Sequence, residues 1–538
     1  MTDPDWWRGA VIYQIYPRSF QDSSGNGVGD LKGIVDRLDH VASLGVDAIW
    51  ISPFFTSPMA DMGYDISDFR DVDPIFGTLA DFDAVIEKAH ALGLKVMIDQ
   101  VLSHCSDQHP FFVESRASKD NAKADWFVWS DPKPDGSPPS NWQAVFGGPS
   151  WTWEPKRRQY YMHNFLSEQP QFNFHNPEVQ KWHLDNLRFW LDRGVDGFRF
   201  DSVNYHFHNA ELTDNPPCTT RAPEAPLGNT YGWQQHDNDK SQPENLAFLQ
   251  KVRSVLDSYD PPRATVGEIG DGDRGLETMA AYTRDARLNM AYSFELLGPG
   301  FTPDFFKKAL EQFETHSEGQ SWACWAFSNH DVPRHASRWE DKAEDNNALA
   351  KVSAALLLSL KGSVCLYQGE ELGLPQVELA YEELTDPVGL TFWPEDKGRD
   401  GCRTPMPWTK SAAHAGFSTG EPWLPVKSSH VALAADTQDG QSGSVLEFYR
   451  AFLHFRAKQS ALVKGDIAFV TAEENGLLVF KRMDSDNTVL CAFNLGESDV
   501  EFASDDLGEA LKLSGFDSEP QNGVLHLAPM QAYFGRLA

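Results

Sequence analysis

The sequence predicts an α/β protein: a (β/α)8 barrel with a domain inserted after the third strand and a C-terminal antiparallel β domain. Three observations lead there. Over roughly the first 460 residues, short apolar strands alternate with helical patterns, which is the signature of a parallel sheet with crossover helices. Eight such strands can be counted, and eight βα units close into a barrel whose catalytic groups come from the C-terminal strand ends and the loops after them. Beyond Phe455 the pattern changes to short strands divided by turn residues (GDIAFVTAEENGLLVFKRMDSDNTVLCAFNL), which assigns 461–538 to a separate antiparallel β domain.

The strands are expected at 10–17, 46–53, 94–101, 195–202, 264–269, 288–295, 322–329 and 363–368. Polar residues gather at their C-terminal ends: Asp61 and Tyr64 after the second, Asp99 and His104 at the third, Asp201 at the fourth, Glu268 at the fifth, His330 and Asp331 after the seventh. Two connections are too long to be plain loops. Residues 105–172, rich in Trp, Pro, Gly and Asn, read as an inserted domain over the barrel mouth, leaving 1–104 and 173–460 for the barrel. The second long connection, about 204–242, belongs to the fourth βα unit and could wall the same pocket.

Composition narrows the function. Against 46 Lys and Arg stand 78 Asp and Glu, a formal charge of −32 over 538 residues, which disfavours nucleic acid and anionic membranes and fits a neutral substrate. Six scattered cysteines, at 105, 218, 324, 365, 402 and 491, show no CxxC and suggest neither zinc nor a disulfide framework. The N-terminal stretch MTDPDWWRGAVIYQ lacks the pattern of a secretory signal, and the most apolar segment, Ala348 to Tyr367, is interrupted by Lys351 and Lys361. A cytoplasmic protein with no membrane span, monomeric or homodimeric, is the expectation.

The stretch GVDGFRFDSV, from Gly194 to Val203, carries the centre of the chemistry. Alternation puts Phe198 and Phe200 on one face of the strand and Arg199 with Asp201 on the other. Arg199 is expected to lower the pKa of Asp201 and keep it ionised. With Glu268 and Asp331 converging on the same axis, the three acids cannot all ionise cheaply, so one should have a raised pKa and serve as a general acid, as glycosidic cleavage requires. A different kind of site is suggested by DSSGNGVGD. Asp22, Ser24, Asn26 and Asp30 with the Val28 carbonyl fall at alternate positions, and Gly27 permits a sharp turn, a pattern of hard oxygen ligands suited to structural Ca²⁺ or Mg²⁺.

With GVDAIWISPFF, DQVLSH, QPQFNFHNPEV, GVDGFRFDSV, TVGEIG, FSNHD, CLYQGEELG and GRDGCRTPMPW in view, the whole chain resembles the α-glucosidases of glycoside hydrolase family 13, in the oligo-1,6-glucosidase and exo-α-glucosidase branch. The resemblance implies a retaining exo-acting enzyme that takes glucose from short α-glucosides and passes it to water or another hydroxyl acceptor. It implies Asp201 as nucleophile, Glu268 as general acid/base and Asp331 as the transition-state-stabilising carboxylate that grips the sugar. Asp61, Tyr64, His104, Arg199, His330 and Arg399 correspond to residues lining the subsite for the non-reducing glucose, with Phe146 and Phe165 as aromatic walls. Two positions depart from the family pattern. Ser103 stands where Asn is common, with little effect expected. Ser202 follows the nucleophile where the α-1,6 branch resembles Val and α-1,4 relatives carry Thr or Ala, which favours maltose-type substrates. An oligo-1,6-glucosidase, a sucrose isomerase or a trehalose-6-phosphate hydrolase are the alternatives within the family. A non-catalytic transporter-partner relative would have lost its carboxylates, and all three remain here.

Overall fold

Eight parallel strands form one sheet in the computed structural model, which describes residues 3–219, 226–516 and 518–537. Residues 220–225 of the 204–242 connection lie outside the described residues, as do 1–2, 517 and 538. The strands are β1 (Val11–Ile15), β2 (Ala48–Ile51), β3 (Lys95–Val101), β4 (Gly197–Asp201), β5 (Ala264–Ile269), β6 (Met290–Ser293), β7 (Cys324–Trp325) and β8 (Ser363–Tyr367). Their hydrogen-bonded order is β6-β5-β4-β3-β2-β1-β8-β7, and a single parallel bridge between Ala291 and Ala323 joins the two ends into a closed barrel.

Strand alternation sorts the side chains. Ile12, Ala48, Trp50, Met97, Val266, Met290 and Tyr292 fill the barrel interior, while Val11, Ile49, Val96, Phe198 and Phe200 face the helices. Gly197 on β4 leaves no room for a side chain beside β5, since a Cβ there would come 2.5 Å from the carbonyl oxygen of Ala264. The crossover helices start on sequence-encoded caps: Asp30 accepts from Gly33 at the head of α1 (Leu31–Leu44), Thr78 and Asp81 form a capping box for α2 (Leu79–Ala91), and Asn176 with Pro177 begins α3 (Pro177–Asp192).

Between β3 and α3 the chain leaves the barrel and forms a three-stranded antiparallel sheet from Trp129–Ser130, Gln159–Met162 and Trp151–Glu154. A small apolar cluster of Val128, Trp142, Trp151 and Met162 backs this sheet. After the helix Val445–Ala457, a five-stranded antiparallel sheet and a two-stranded one occupy 466–537. Arg482 fastens that unit to the barrel. Fully buried, it donates to the carbonyls of Ser359 at 2.6 Å, Leu360 at 2.8 Å, Leu462 at 3.1 Å and Gly465 at 2.8 Å.

Replacing Arg482 with Met orphans four buried carbonyls, so we expect a stability loss of about 3 kcal/mol. Chemical denaturation should register it as a lower midpoint, with the activity of the still-folded protein unchanged.

Candidate active site

Strand register assembles the centre of the site. Arg199 on β4 pairs with Asp99 on β3 and with Val266 on β5, so Glu268, two residues further along β5, lies one inward-facing step above it, level with Asp201. Nη1 of Arg199 donates to both carboxylate oxygens of Asp99, at 2.9 and 3.0 Å, and to Oδ1 of Asp201 at 2.8 Å. Nη2 meets Oε1 of Glu268 at 2.5 Å and donates to the Tyr292 hydroxyl at 2.9 Å. The guanidinium carbon lies 4.8 Å from the centre of the Trp50 ring, whose Nε1 donates to Asp99 at 3.2 Å. One buried cation therefore holds three carboxylates.

Ser202 ties the two acids of the reaction together a second time. It adopts φ 38° and ψ 48°, in the left-handed region, which turns the chain sharply off the end of β4. Its backbone N–H donates to Oε2 of Glu268 at 2.9 Å, and its hydroxyl donates to Oδ2 of Asp201 at 2.9 Å. Ser202 thus does more than leave room. Ser103, for which little effect was expected, lies between Nδ1 of His104 at 2.9 Å and the Ser202 hydroxyl at 3.1 Å.

The third carboxylate belongs to a second charge cluster. Asp331 accepts from Nη2 of Arg403 at 2.9 Å and pairs with Nη1 of Arg399 at 3.4 Å. Nη2 of Arg399 also reaches Asp61 and Asp386, each at 2.7 Å. Nε2 of His330 lies 3.3 Å from Asp331 and in hydrogen-bond contact with the Tyr64 hydroxyl, while its Nδ1 accepts from Gln14 at 2.8 Å. Tyr64 donates in turn to Asp99 at 3.1 Å, which links the two clusters. Phe165 packs 5.1 Å from the His104 ring and 5.5 Å from Phe146, and the Arg399 guanidinium covers the Phe146 ring at 4.8 Å.

The electrostatics differ from the expectation at Asp201. Burial pushes its carboxyl up to about 6 even though Arg199 pulls the other way, because Arg199 is shared and Asp99 adds a like charge. Burial likewise raises Asp99 to about 6 and Glu268 to about 7, Arg199 opposing both. Asp331 goes the other way. Burial would raise it, but His330, Arg403 and Arg399 outweigh that and hold it well below the usual carboxylate range. These groups share protons as one system, so the raised values belong to the cluster as a whole, while Asp331 stays ionised.

All twelve residues expected in the catalytic and sugar subsites are drawn into this one region. Missing from the expectation were Trp50, Tyr292, Gln14, Gln169, Asp386 and Arg403, and Asp99 was noted without a role. Inward parity on their strands could have found Gln14, Trp50, Asp99 and Tyr292. Asp386 and Arg403 sit in the long segment after β8, where no periodicity marks them.

The loop around Asp22 closes on its own carboxylates. Asp22 accepts from the N–H groups of Ser24, Gly25 and Gly27, each at 2.8 Å, and from the Ser418 hydroxyl at 2.6 Å, while Asn26 accepts from Val28 at 2.8 Å. Asp30 accepts from Ser23 at 3.0 Å besides capping α1. The candidate donors are all hard oxygens, the class that suits Ca²⁺ or Mg²⁺, and those of Asp22 and Asp30 are engaged by the loop's own N–H groups and by hydroxyls. Among the described residues no group of three or more His, Cys, Asp or Glu is placed to hold a metal, so a cation here would lean on the hydroxyl, amide and carbonyl oxygens beside two carboxylates.

Comparison with known proteins gives a consistent picture. The family model "Alpha amylase, catalytic domain" matches residues 14–465. A probable alpha-glucosidase of Rhizobium meliloti (strain 1021) is 55% identical, over 100% of this chain and 98% of its own length. An oligo-1,6-glucosidase of Heyndrickxia coagulans is 37% identical over 95% and 96%. The crystal structure of the alpha-glucosyl transfer enzyme XgtA superposes with a TM-score of 0.96 at 53% identity, covering 99% of both chains.

Proposed function

The chain belongs to the family of alpha-amylase catalytic domains, and on that premise we propose that it is a retaining exo-α-glucosidase that transfers the non-reducing glucose of short α-glucosides, maltose-type α-1,4 links preferred, to water or to another hydroxyl. The observation that carries the reading is the pairing of Asp201 on β4 and Glu268 on β5 through Arg199 and Ser202. A related protein named for α-glucosyl transfer at 53% identity supports the transfer branch.

Each chain residue then has a task. Glu268 gives its proton to the glycosidic oxygen as the bond from that oxygen to the anomeric carbon breaks. A carboxylate oxygen of Asp201 forms the new bond to that carbon, giving a β-glucosyl ester. Glu268, now ionised, takes the proton of the acceptor hydroxyl as its oxygen attacks the same carbon and releases Asp201. Two inversions restore the α configuration. Asp331, anionic and fixed by Arg403, accepts hydrogen bonds from sugar hydroxyls, and the Asp61–Arg399 and Tyr64–His330 pairs close the inner end of the subsite. Water is screened by the aromatic wall of Phe146, Phe165 and Tyr205.

A cytoplasmic monomer or homodimer is part of this reading. No helix among the described residues is long and apolar enough to cross a membrane. The loop Asp22 to Asp30 is proposed as a structural cation site.

Proton NMR of maltose and isomaltose, each incubated with the protein, should show maltose consumed faster and α-glucose ahead of β-glucose, with an Asp201→Ala variant inert in both. Faster loss of isomaltose overturns the linkage preference, and β-glucose appearing first overturns the retaining mechanism. The pH profile of kcat/KM should be bell-shaped. Activity rises with the lower and falls with the upper apparent pKa of the coupled acids, near 6 and near 7, giving a narrow optimum between them. Removing divalent cations with EDTA should lower Tm by a few degrees, restored by Ca²⁺, without changing kcat at temperatures where the protein stays folded.

A further inference from the structure

The two departures from the family pattern, Ser103 and Ser202, are 99 positions apart in the chain, yet their hydroxyl oxygens lie 3.1 Å apart in the barrel mouth. They are the middle links of a longer series. Gln169 Nε2 is 3.2 Å from Nε2 of His104, Nδ1 of His104 is 2.9 Å from the Ser103 hydroxyl, and the Ser202 hydroxyl is 2.9 Å from Oδ2 of Asp201.

One assignment of the protons makes this series continuous. The Gln169 amide can face only one way, because its Nε2 donates to Asp61 at 3.0 Å while its Oε1 accepts from the Leu166 N–H at 3.0 Å. Its remaining N–H points at His104 Nε2, which must accept. Burial pushes His104 down to about 3, so the ring is neutral, and with Nε2 accepting from Gln169 its one N–H is on Nδ1, aimed at Ser103, which leaves the Tyr64 carbonyl, 3.2 Å from Nε2, without that donor. Ser103 accepts there and donates to Ser202, which donates to Asp201. The other tautomer would donate from Nε2 to the Tyr64 carbonyl at 3.2 Å. It would also set two N–H groups against each other at Gln169 and turn the Ser103 proton back to His104, leaving no proton between the two serines.

We infer that Ser103 and Ser202 are positioning residues, which with Gln169 and His104 form a one-way hydrogen-bond chain from the sugar-binding wall to the nucleophile. Arg199 anchors one oxygen of Asp201, and this chain anchors the other. A sugar hydroxyl that engages His104 or Asp61 repolarises each following link, so filling the glucose subsite is felt at Oδ2 of Asp201. The inference rests on the reading of Asp201 as nucleophile and His104 as a sugar contact. The charged groups facing Asp201 are Arg199 on its own strand, Asp99 on β3, Glu268 on β5 and Asp331 after β7, with Arg399 and Arg403 behind the last. None of them is altered in the variants below.

The test is a double-mutant cycle of S103A, S202A and S103A/S202A, with kcat and KM for p-nitrophenyl α-glucoside measured across pH. S202A should lower kcat by about tenfold and S103A by about threefold, with KM nearly unmoved, and the double variant should be no slower than S202A because the second loss falls on a chain already cut. The acid limb of kcat/KM should move up by about half a pH unit in each, since a carboxylate that loses a donor is harder to ionise. Losses that multiply in the double variant, or an acid limb that stays in place, overturn the inference. S103A makes no direct contact with a carboxylate and carries the test alone if S202A fails to fold. A readout without turnover is the ¹⁵N spectrum of the His104 ring: a proton on Nδ1 supports the chain, and a proton on Nε2 overturns it. Wild-type protein inert on every α-glucoside, with the Nδ1 proton in place, would overturn the glucosidase reading and leave the chain standing.

Discussion

The site depends on burying Arg199. A guanidinium removed from water is costly unless its donors are all engaged, and here three carboxylates, a phenol and an indole face surround it. The same crowding works on the acids. Burial raises Asp99, Asp201 and Glu268, and one cation cannot neutralise all three, so the cluster retains a proton near neutrality. Arg199 opposes that rise, so it is both a structural pin of the barrel interior and the charge that lets part of the cluster stay ionised. Without it three buried carboxylates would repel one another, and the strand ends carrying them would lose their alignment.

Backbone geometry shares the work. The left-handed turn at Ser202 is unfavourable for a residue with a Cβ, and such strain persists where surrounding contacts fix it. Those contacts are the bonds from its N–H to Glu268 and from its hydroxyl to Asp201 and Ser103. A residue one step beyond the nucleophile is thus held in place by both reacting groups, and it holds them in return. The separate Arg399 and Arg403 cluster keeps Asp331 ionised, so protonation of the reacting pair does not extend to the carboxylate that receives the sugar hydroxyls.

Much of this was legible in the chain. Strand alternation and element order located all eight barrel strands, because buried parallel strands are apolar runs bounded by helical periodicity. The inward parity of Arg199 and Asp201 followed from the same rule. The pKa of Asp201 did not follow, because a sequence shows the nearby arginine but not how many carboxylates compete for it. Nor did the role of Ser103, which depends on a contact with Ser202 that only the β3–β4 pairing creates. Asp386 and Arg403 were invisible for another reason. They lie in a long irregular segment after β8, where function rests on loop geometry without a repeating pattern.

The barrel has an uneven seam. Strand β7 contributes only Cys324 and Trp325 to the ladder, and a single bridge from Ala291 to Ala323 joins it to β6, whereas β3 and β4 share five paired positions. Amide exchange and local opening follow the sparsest hydrogen bonding, so the wall between β6 and β7 is the place where this cylinder comes apart first. Asp331 hangs just beyond that wall. Its bond to Arg403, which also grips the His330 carbonyl at 2.7 Å, acts as a clasp across a thin joint. The third carboxylate is thus kept in register by a side chain from the segment after β8, and one contact serves both the site and the seam of the barrel.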